Sequence, residues 1–194
     1  RFGRAVPDWL DAAGEFEALL ALSGYAVEHP DDTWPEVVRD GPTFVSSRLG
    51  HPLLPSDKCV RNDVAFGDPV RLLVVSGSNM AGKSTLLRSV GVNAVLAFAG
   101  APVRAESLTI SPFRLGSVVR VSDSLQTGKS FFFAAIERLK RVTLLAGGEP
   151  PLLFLLDELL AGTNSHDRRV GAEAILRRLV EDGAVGIVTT HDLA

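Results

Sequence analysis

The run Val74-Val75-Ser76-Gly77-Ser78-Asn79-Met80-Ala81-Gly82-Lys83-Ser84-Thr85 constrains this chain more than any other. It fits Gly-x-x-x-x-Gly-Lys-[Ser/Thr], the spacing of a loop that cradles phosphate. Its flanks fit as well. Leu72 to Val75 is apolar and β-branched and reads as a buried strand, and Lys83 onward reads as a helix. Gly77 and Gly82 let the backbone curl so that several N–H groups converge on one anion. A helix starting near Lys83 adds the positive end of its dipole. Lys83 is placed to reach the outer phosphates, and the Ser84 hydroxyl to hold Mg²⁺.

Downstream, Leu152-Leu153-Phe154-Leu155-Leu156-Asp157-Glu158 is an unbroken apolar run ending in two carboxylates. After a phosphate loop, that is the Walker-B pattern. The strand is buried in a parallel sheet, and its C-terminal tip opens at the ligand crevice. Asp157 then stands near the Mg²⁺, and Glu158 near a water in line with the terminal phosphate. Ala184 to Thr189 reads as another buried strand. His191 follows it, on the same sheet edge as Lys83 and Asp157, as a phosphate sensor or a capping residue.

The rest of the chain reads in order. Asp8 to Leu22 is an expected helix, with Trp9, Ala13, Phe16 and Leu20 on one packing face. His29 to Pro42 is rich in Pro and Asp and reads as a loop or linker. Residues 1–42 are therefore expected to be a helical appendage plus linker, and 43–194 the nucleotide domain. Thr43 to Val45 reads as a short strand. Cys59 to Phe66 and Leu72 to Val75 flank Gly67-Asp68-Pro69 and suggest a hairpin beside the nucleotide. A lone His51 reads as a structural or surface residue.

Lys83 to about Phe98 is a helix apolar on most sides, hence buried. Leu108 to Ile110 and Ser117 to Val121 read as short strands. The polar stretch 122–130 opens a helix from about Phe131 to Ala146, with Ser130 at the N-cap position. A last helix runs from about Arg168 to Glu181, with Ala172, Ile175, Leu176 and Leu179 facing the core.

Composition narrows the setting. The net charge of −3, from 20 basic and 23 acidic residues, leaves no electrostatic footprint for nucleic acid. A single cysteine, Cys59, excludes an intrachain disulfide and favours a reducing, cytoplasmic compartment. No apolar run approaches the roughly 20 residues of a membrane-spanning helix. There is no Met at the start, and the chain stops just after a strand, as expected of a fragment.

Several motifs agree in order with one family. Gly77 to Thr85 resembles the Gly-Pro-Asn-Met-Gly-Gly-Lys-Ser-Thr of the MutS family, the mismatch-repair branch of the ABC-type ATPases. The Asn79-Met80 pair is far more specific than a generic phosphate loop. Asp123 to Phe131 resembles the family signature Asp-Asp-Leu-x-x-Gly-x-Ser-Thr-Phe, and Asp157 to Asp167 its Asp-Glu-x-x-x-Gly-Thr-Ser-x-x-Asp. Thr189-Thr190-His191, Gly50-His51-Pro52 and Val60-Arg61-Asn62-Asp63 fit as well.

The resemblance covers roughly residues 43 to 194. It implies a mixed, mainly parallel α/β sheet flanked by helices, an ABC-type P-loop NTPase preceded by a short helical appendage.

The resemblance also supplies roles. Gly77, Ser78, Asn79, Met80, Ala81, Gly82, Lys83, Ser84 and Thr85 would bind the phosphates of ATP, with Val60 on the nucleotide's base side. Ser84 and Asp157 would hold Mg²⁺. Glu158 would polarise the attacking water, assisted by His191 and Lys83. Ser130 would cap the terminal phosphate bound by the other subunit of a homodimer. The implied function is slow, dimer-dependent ATP hydrolysis, coupled to a clamp on DNA gripped by other domains. The alternative is an ATP-dependent dimerisation switch with weak hydrolysis and no direct DNA contact. Three departures stand out: Cys59 where the family has an aromatic residue against adenine, Ser78 in place of proline, and Phe131-Phe132 in place of Thr-Phe.

Overall fold

The computed structural model describes residues 3–78, 80–119, 131–159 and 165–191. In chain order the elements are α1 (Val6–Glu28), β1 (Glu36–Val37), β2 (Thr43–Leu49), β3 (Asn62–Gly67), β4 (Leu72–Ser76) and α2 (Lys83–Phe98). Then come β5 (Ser107–Ile110), β6 (Arg114–Val118), α3 (Phe131–Thr143), β7 (Leu152–Asp157), α4 (Ser165–Glu181) and β8 (Val185–Thr190).

Two sheets form where one was expected. The order β4-β8-β7-β6 is parallel throughout, and β1-β5-β2-β3 is mixed, with β2 antiparallel to both its neighbours. The first carries the near-continuous apolar strands of a sheet covered on both faces. Side chains of β7 alternate between the two covers. Leu153 and Leu155 join α2 and the mixed sheet in one core, with Leu87, Val90, Ala94, Phe44 and Ile110. Leu152, Phe154 and Leu156 join α3 and α4 in the other, with Leu139, Val142, Ile175, Leu176 and Leu179. Helix α2 therefore lies between two sheets, which is why its sequence is apolar on most sides.

The expected hairpin through Gly67-Asp68-Pro69 does not form. β3 pairs with β2, whereas β4 pairs with β8 in the other sheet. The two strands pack differently. β4 packs Leu73 and Val75 partly against the first core and Leu72 partly against the second, leaves Val74 58% exposed, and pairs along its whole length with β8. β3 alternates, with Val64 and Phe66 inward, and pairs with β2. The intervening turn carries the chain from sheet to sheet.

The N-terminal region also differs in detail. α1 begins earlier and ends later than expected, with a proline in its first turn, where the missing N–H costs nothing. Its anticipated packing face is uncovered among the described residues: Trp9, Phe16 and Leu20 are all more than half exposed. Residues 29–42, read as a loop, are tied to the mixed sheet. Thr33 bridges to Val103, and β1 runs parallel to β5. Among the described residues, no helix is long and apolar enough to cross a membrane.

Candidate functional site

Parallel register brings the C-terminal tips of β4, β7 and β8 to one edge. Ser76 lies opposite Thr190, and Asp157 opposite Thr189. The loop after β4 leads into α2 through two residues with positive φ, Met80 at 66° and Gly82 at 87°, with Gly77 at 156° before them. Gly82 is the residue before the first turn of α2, and only glycine takes that left-handed conformation without strain. The turn aims the free N–H groups of the helix start into the loop.

Lys83 is buried at 7% exposure, inside this loop. Its Nζ donates to Gly77 O at 2.7 Å and to Ser78 O at 2.8 Å. A buried ammonium held by two carbonyls closes the loop around a positive charge. Ser84, one residue on, donates from Oγ to Asp157 Oδ1 at 3.0 Å. Helix start and strand tip thus share one hydroxyl–carboxylate contact.

The structure adds Thr189, a residue to which sequence reasoning assigned no role. It is fully buried, donates from Oγ1 to Asp157 Oδ1 at 2.6 Å and accepts from Glu158 N at 3.0 Å. A hydroxyl closing the apolar run Gly186-Ile187-Val188 was the available signal, since a buried polar group needs partners. Its hydrogen bond holds Glu158 where the backbone is left-handed, at φ 49°. Such a conformation in a non-glycine residue stores on the order of 1–3 kcal/mol. Glu158 Oε1 stands 3.7 Å from His191 Nδ1, and both side chains are roughly two-fifths exposed.

The structure therefore brings Lys83, Ser84, Asp157, Glu158 and His191 to one sheet edge, with Gly77, Ser78, Ala81 and Gly82 around the lysine. Met80 is fully exposed on the loop, and Thr85 points outward on the first turn of α2. Val60 is 81% exposed, on the loop between β2 and β3, and is not part of this hydrogen-bonded set. Asn79, Ser130 and the stretch Gly162-Thr163-Asn164 lie outside the described residues, as do the side chains of His166 and Asp167. A groove of about 810 Å³ opens between β4 and α4, and its lining reaches Thr189 and Thr190 but includes neither Lys83 nor Asp157. The glycine loop with its buried lysine lies outside that groove.

A second polar cluster had no sequence signal. Arg104, between α2 and β5, has a side chain 3% exposed, and its Nε lies 2.7 Å from Asp32 Oδ1. That contact is an ion pair by distance, without the alignment of a hydrogen bond. Tyr25 donates its hydroxyl to Asp32 Oδ2 at 2.6 Å. Burial, followed by the hydrogen bond to Asp32, pushes the Tyr25 phenol well above its ordinary range. His51 accepts Leu53 N–H on Nδ1 at 3.2 Å. Burial, and then the positive charge of Arg88, lower its pKa.

A parallel sheet flanked by helices, with a glycine loop, a buried lysine and a hydroxyl–carboxylate pair at its strand tips, defines a domain of the doubly covered α/β class. Residues 73–193 match the family MutS domain V, which is more than half of the chain. The chain belongs to the MutS family. It is 36% identical over 187 residues to "Endonuclease MutS2" of Thermus thermophilus, covering 96% of this chain and 24% of that protein. The protein of the same name from Thermomicrobium roseum is 38% identical over 185 residues, covering 90% of this chain and 23% of that one. "DNA mismatch repair protein MutS" of a Caulobacter species is 35% identical over 168 residues, covering 84% and 17%. The chain thus spans about a quarter or less of the length of these relatives.

Proposed function

We propose that this chain is the ATP-binding and ATP-hydrolysing module of a MutS-like DNA repair or recombination protein. In this reading it is an ABC-type P-loop ATPase. The observation that carries the reading is the 3.0 Å contact of Ser84 Oγ with Asp157 Oδ1, beside the buried Lys83 ammonium. The residues fit a magnesium nucleotide. Mg²⁺ on phosphates needs only one or two protein oxygens, and a hydroxyl and a carboxylate already converge. Among the described residues no group of three or more His, Cys, Asp or Glu forms a larger metal cage.

Lys83, the loop N–H groups and the start of α2 would hold the phosphates. Mg²⁺, held by Ser84 and Asp157, would neutralise phosphate charge. Glu158 would orient a water, its backbone fixed by Thr189 and its carboxylate beside His191. Phosphoryl transfer is mostly positioning and charge neutralisation, so a preorganised edge is what the reaction asks of a protein.

Ser130 of a second copy would complete the site, which makes a homodimer the working unit and ATP the contact between its halves. DNA would be gripped by other domains of the parent protein, since net charge −3 gives this segment no basic footprint. The relatives named MutS2 favour a divergent branch of the family.

Magnesium-dependent ATP binding and turnover test the reading directly. Lys83→Ala should weaken ATP binding by about tenfold to a hundredfold, the worth of charged hydrogen bonds of roughly 1.5–3 kcal/mol. Unchanged ATP affinity in that variant would remove the loop from the function. In a mixed dimer, Lys83→Ala in one chain and Ser130→Ala in the other should disable one composite site and spare the second.

A further inference from the structure

The tip of β8 reaches Glu158 at both ends. Thr189 Oγ1 accepts the Glu158 N–H at 3.0 Å, and Nδ1 of His191, two residues on, stands 3.7 Å from the Glu158 carboxylate. Thr189 also donates to Asp157 Oδ1 at 2.6 Å. Chemistry fixes the direction of this chain of bonds. A backbone N–H only donates and an ionised carboxylate only accepts, so the single hydroxyl proton points at Asp157. The amide that donates to the hydroxyl strengthens it as a donor in turn. β8 lies between β4 and β7, with Thr189 opposite Val75 on one side and Asp157 on the other. Fully buried and β-branched, its side chain has little rotamer freedom. Ser84, by contrast, is half-buried on the first turn of α2. Both hydroxyls donate to Asp157 Oδ1, and Oδ2 receives neither.

We propose that Thr189 is a positioning residue that couples two halves of the site, the carboxylate that takes the metal and the residue that orients the water. This rests on the nucleotide reading above. With its one proton Thr189 sets the orientation of the Asp157 carboxylate, and with one lone pair it keeps the Glu158 backbone left-handed, at φ 49°. When Ser84 turns toward a cation, Thr189 remains as the fixed donor to Asp157. Magnesium requirement and turnover should therefore move together when this hydroxyl is lost, although Thr189 itself touches neither metal nor nucleotide. Lys83, bonded to Gly77 O and Ser78 O, holds phosphate independently of it.

The test measures, on the full chain, ATP affinity without magnesium, the magnesium concentration at half-maximal ATP binding, and turnover at saturating magnesium. Thr189→Val should leave the first within about twofold, raise the second about threefold to tenfold and lower the third about tenfold, the net worth of one hydrogen bond on each side. Thr189→Ser, which restores the hydroxyl, should recover most of both losses. In a Glu158→Gln background, Thr189→Val should still raise the magnesium requirement but lower turnover no further, because the water side is already lost. Where Thr189→Val does not fold, Thr189→Ala carries the same expectation, since a water in the vacated space can satisfy Glu158 N–H without fixing it. An unmoved magnesium requirement overturns the proposal. So does the same loss of turnover repeated in the Glu158→Gln background, or Thr189→Ser no better than Thr189→Val. Absence of ATP binding by the unaltered chain ends the nucleotide reading, and this inference with it.

Discussion

Ser84 Oγ donates to Asp157 Oδ1 across 3.0 Å, joining the first turn of α2 to the last residue of β7, 73 positions away in sequence. The same carboxylate oxygen also accepts from Thr189 at 2.6 Å. Asp157 thus accepts from two hydroxyls, and Ser84 would turn a lone pair outward to serve as a metal ligand. Ser84→Ala should lower the magnesium-dependent part of ATP affinity and leave metal-free nucleotide binding nearly unchanged. Titrations with and without magnesium measure the difference.

Thr189→Val keeps shape and removes the hydroxyl. It would leave Glu158 N–H without its acceptor and Asp157 with one donor fewer. An orphaned buried group costs about 1–3 kcal/mol, and denaturant unfolding should show that loss as a lower midpoint with unchanged slope. Turnover should fall as well, because Glu158 loses the bond that fixes its left-handed backbone.

Glu158→Gln keeps the size of the side chain and removes its charge. ATP affinity should stay within about twofold while turnover falls by about 10²–10⁴, the usual contribution of a positioned base. Steady-state hydrolysis beside equilibrium binding separates the two. Unchanged hydrolysis would take Glu158 out of the reaction.

Tyr25 is the only tyrosine, so phenolate absorbance reports it alone. Its folded pKa is raised, by burial first and by Asp32 second. Below the unfolded value of about 10, both states keep the proton, and the stabilisation is fully present. It is lost as pH rises beyond that, because only the unfolded chain ionises. Absorbance should therefore appear together with alkaline unfolding. Asp32→Asn removes the hydrogen-bonded charge and should bring ionisation to lower pH. It also breaks the buried pair with Arg104, at a cost of about 3–5 kcal/mol.

His51 has the opposite sign. Its folded pKa is lowered, chiefly by burial and then by Arg88. Stability is full above the unfolded value of about 6.5 and declines as pH falls below it, because the unfolded chain takes the proton first. His51→Gln should flatten that part of the stability profile. Arg88→Met should raise the His51 pKa in an NMR titration, by lifting the charge term alone.

Local pattern carried much of this molecule. Helix α2 begins at Lys83 and ends at Phe98, the bounds read from its apolar surface and the glycine turn before it. The apolar run of β7 ends at Asp157, where two carboxylates interrupt it. Both are legible because hydrophobic period and chain punctuation act within a few residues. Strand pairing is a different kind of information. The turn at Gly67-Asp68-Pro69 looks like a hairpin locally, and only the long-range pairing of β4 with β8, more than a hundred residues away, shows otherwise.

By itself, then, the sequence determined most of the elements, though not β1, and the residues of the glycine loop before α2, because backbone preference and residue chemistry are properties of short stretches. Tertiary structure alone decided that β3 and β4 belong to different sheets, that Thr189 holds Asp157 and Glu158 together, and that Arg104 is buried against Asp32. These are contacts between residues more than thirty positions apart, or burial of a charge that is ordinarily exposed. Nothing in the neighbours of an arginine announces that a carboxylate from another segment will meet it; packing of both sheets around α2 creates the dry space in which the pair must form.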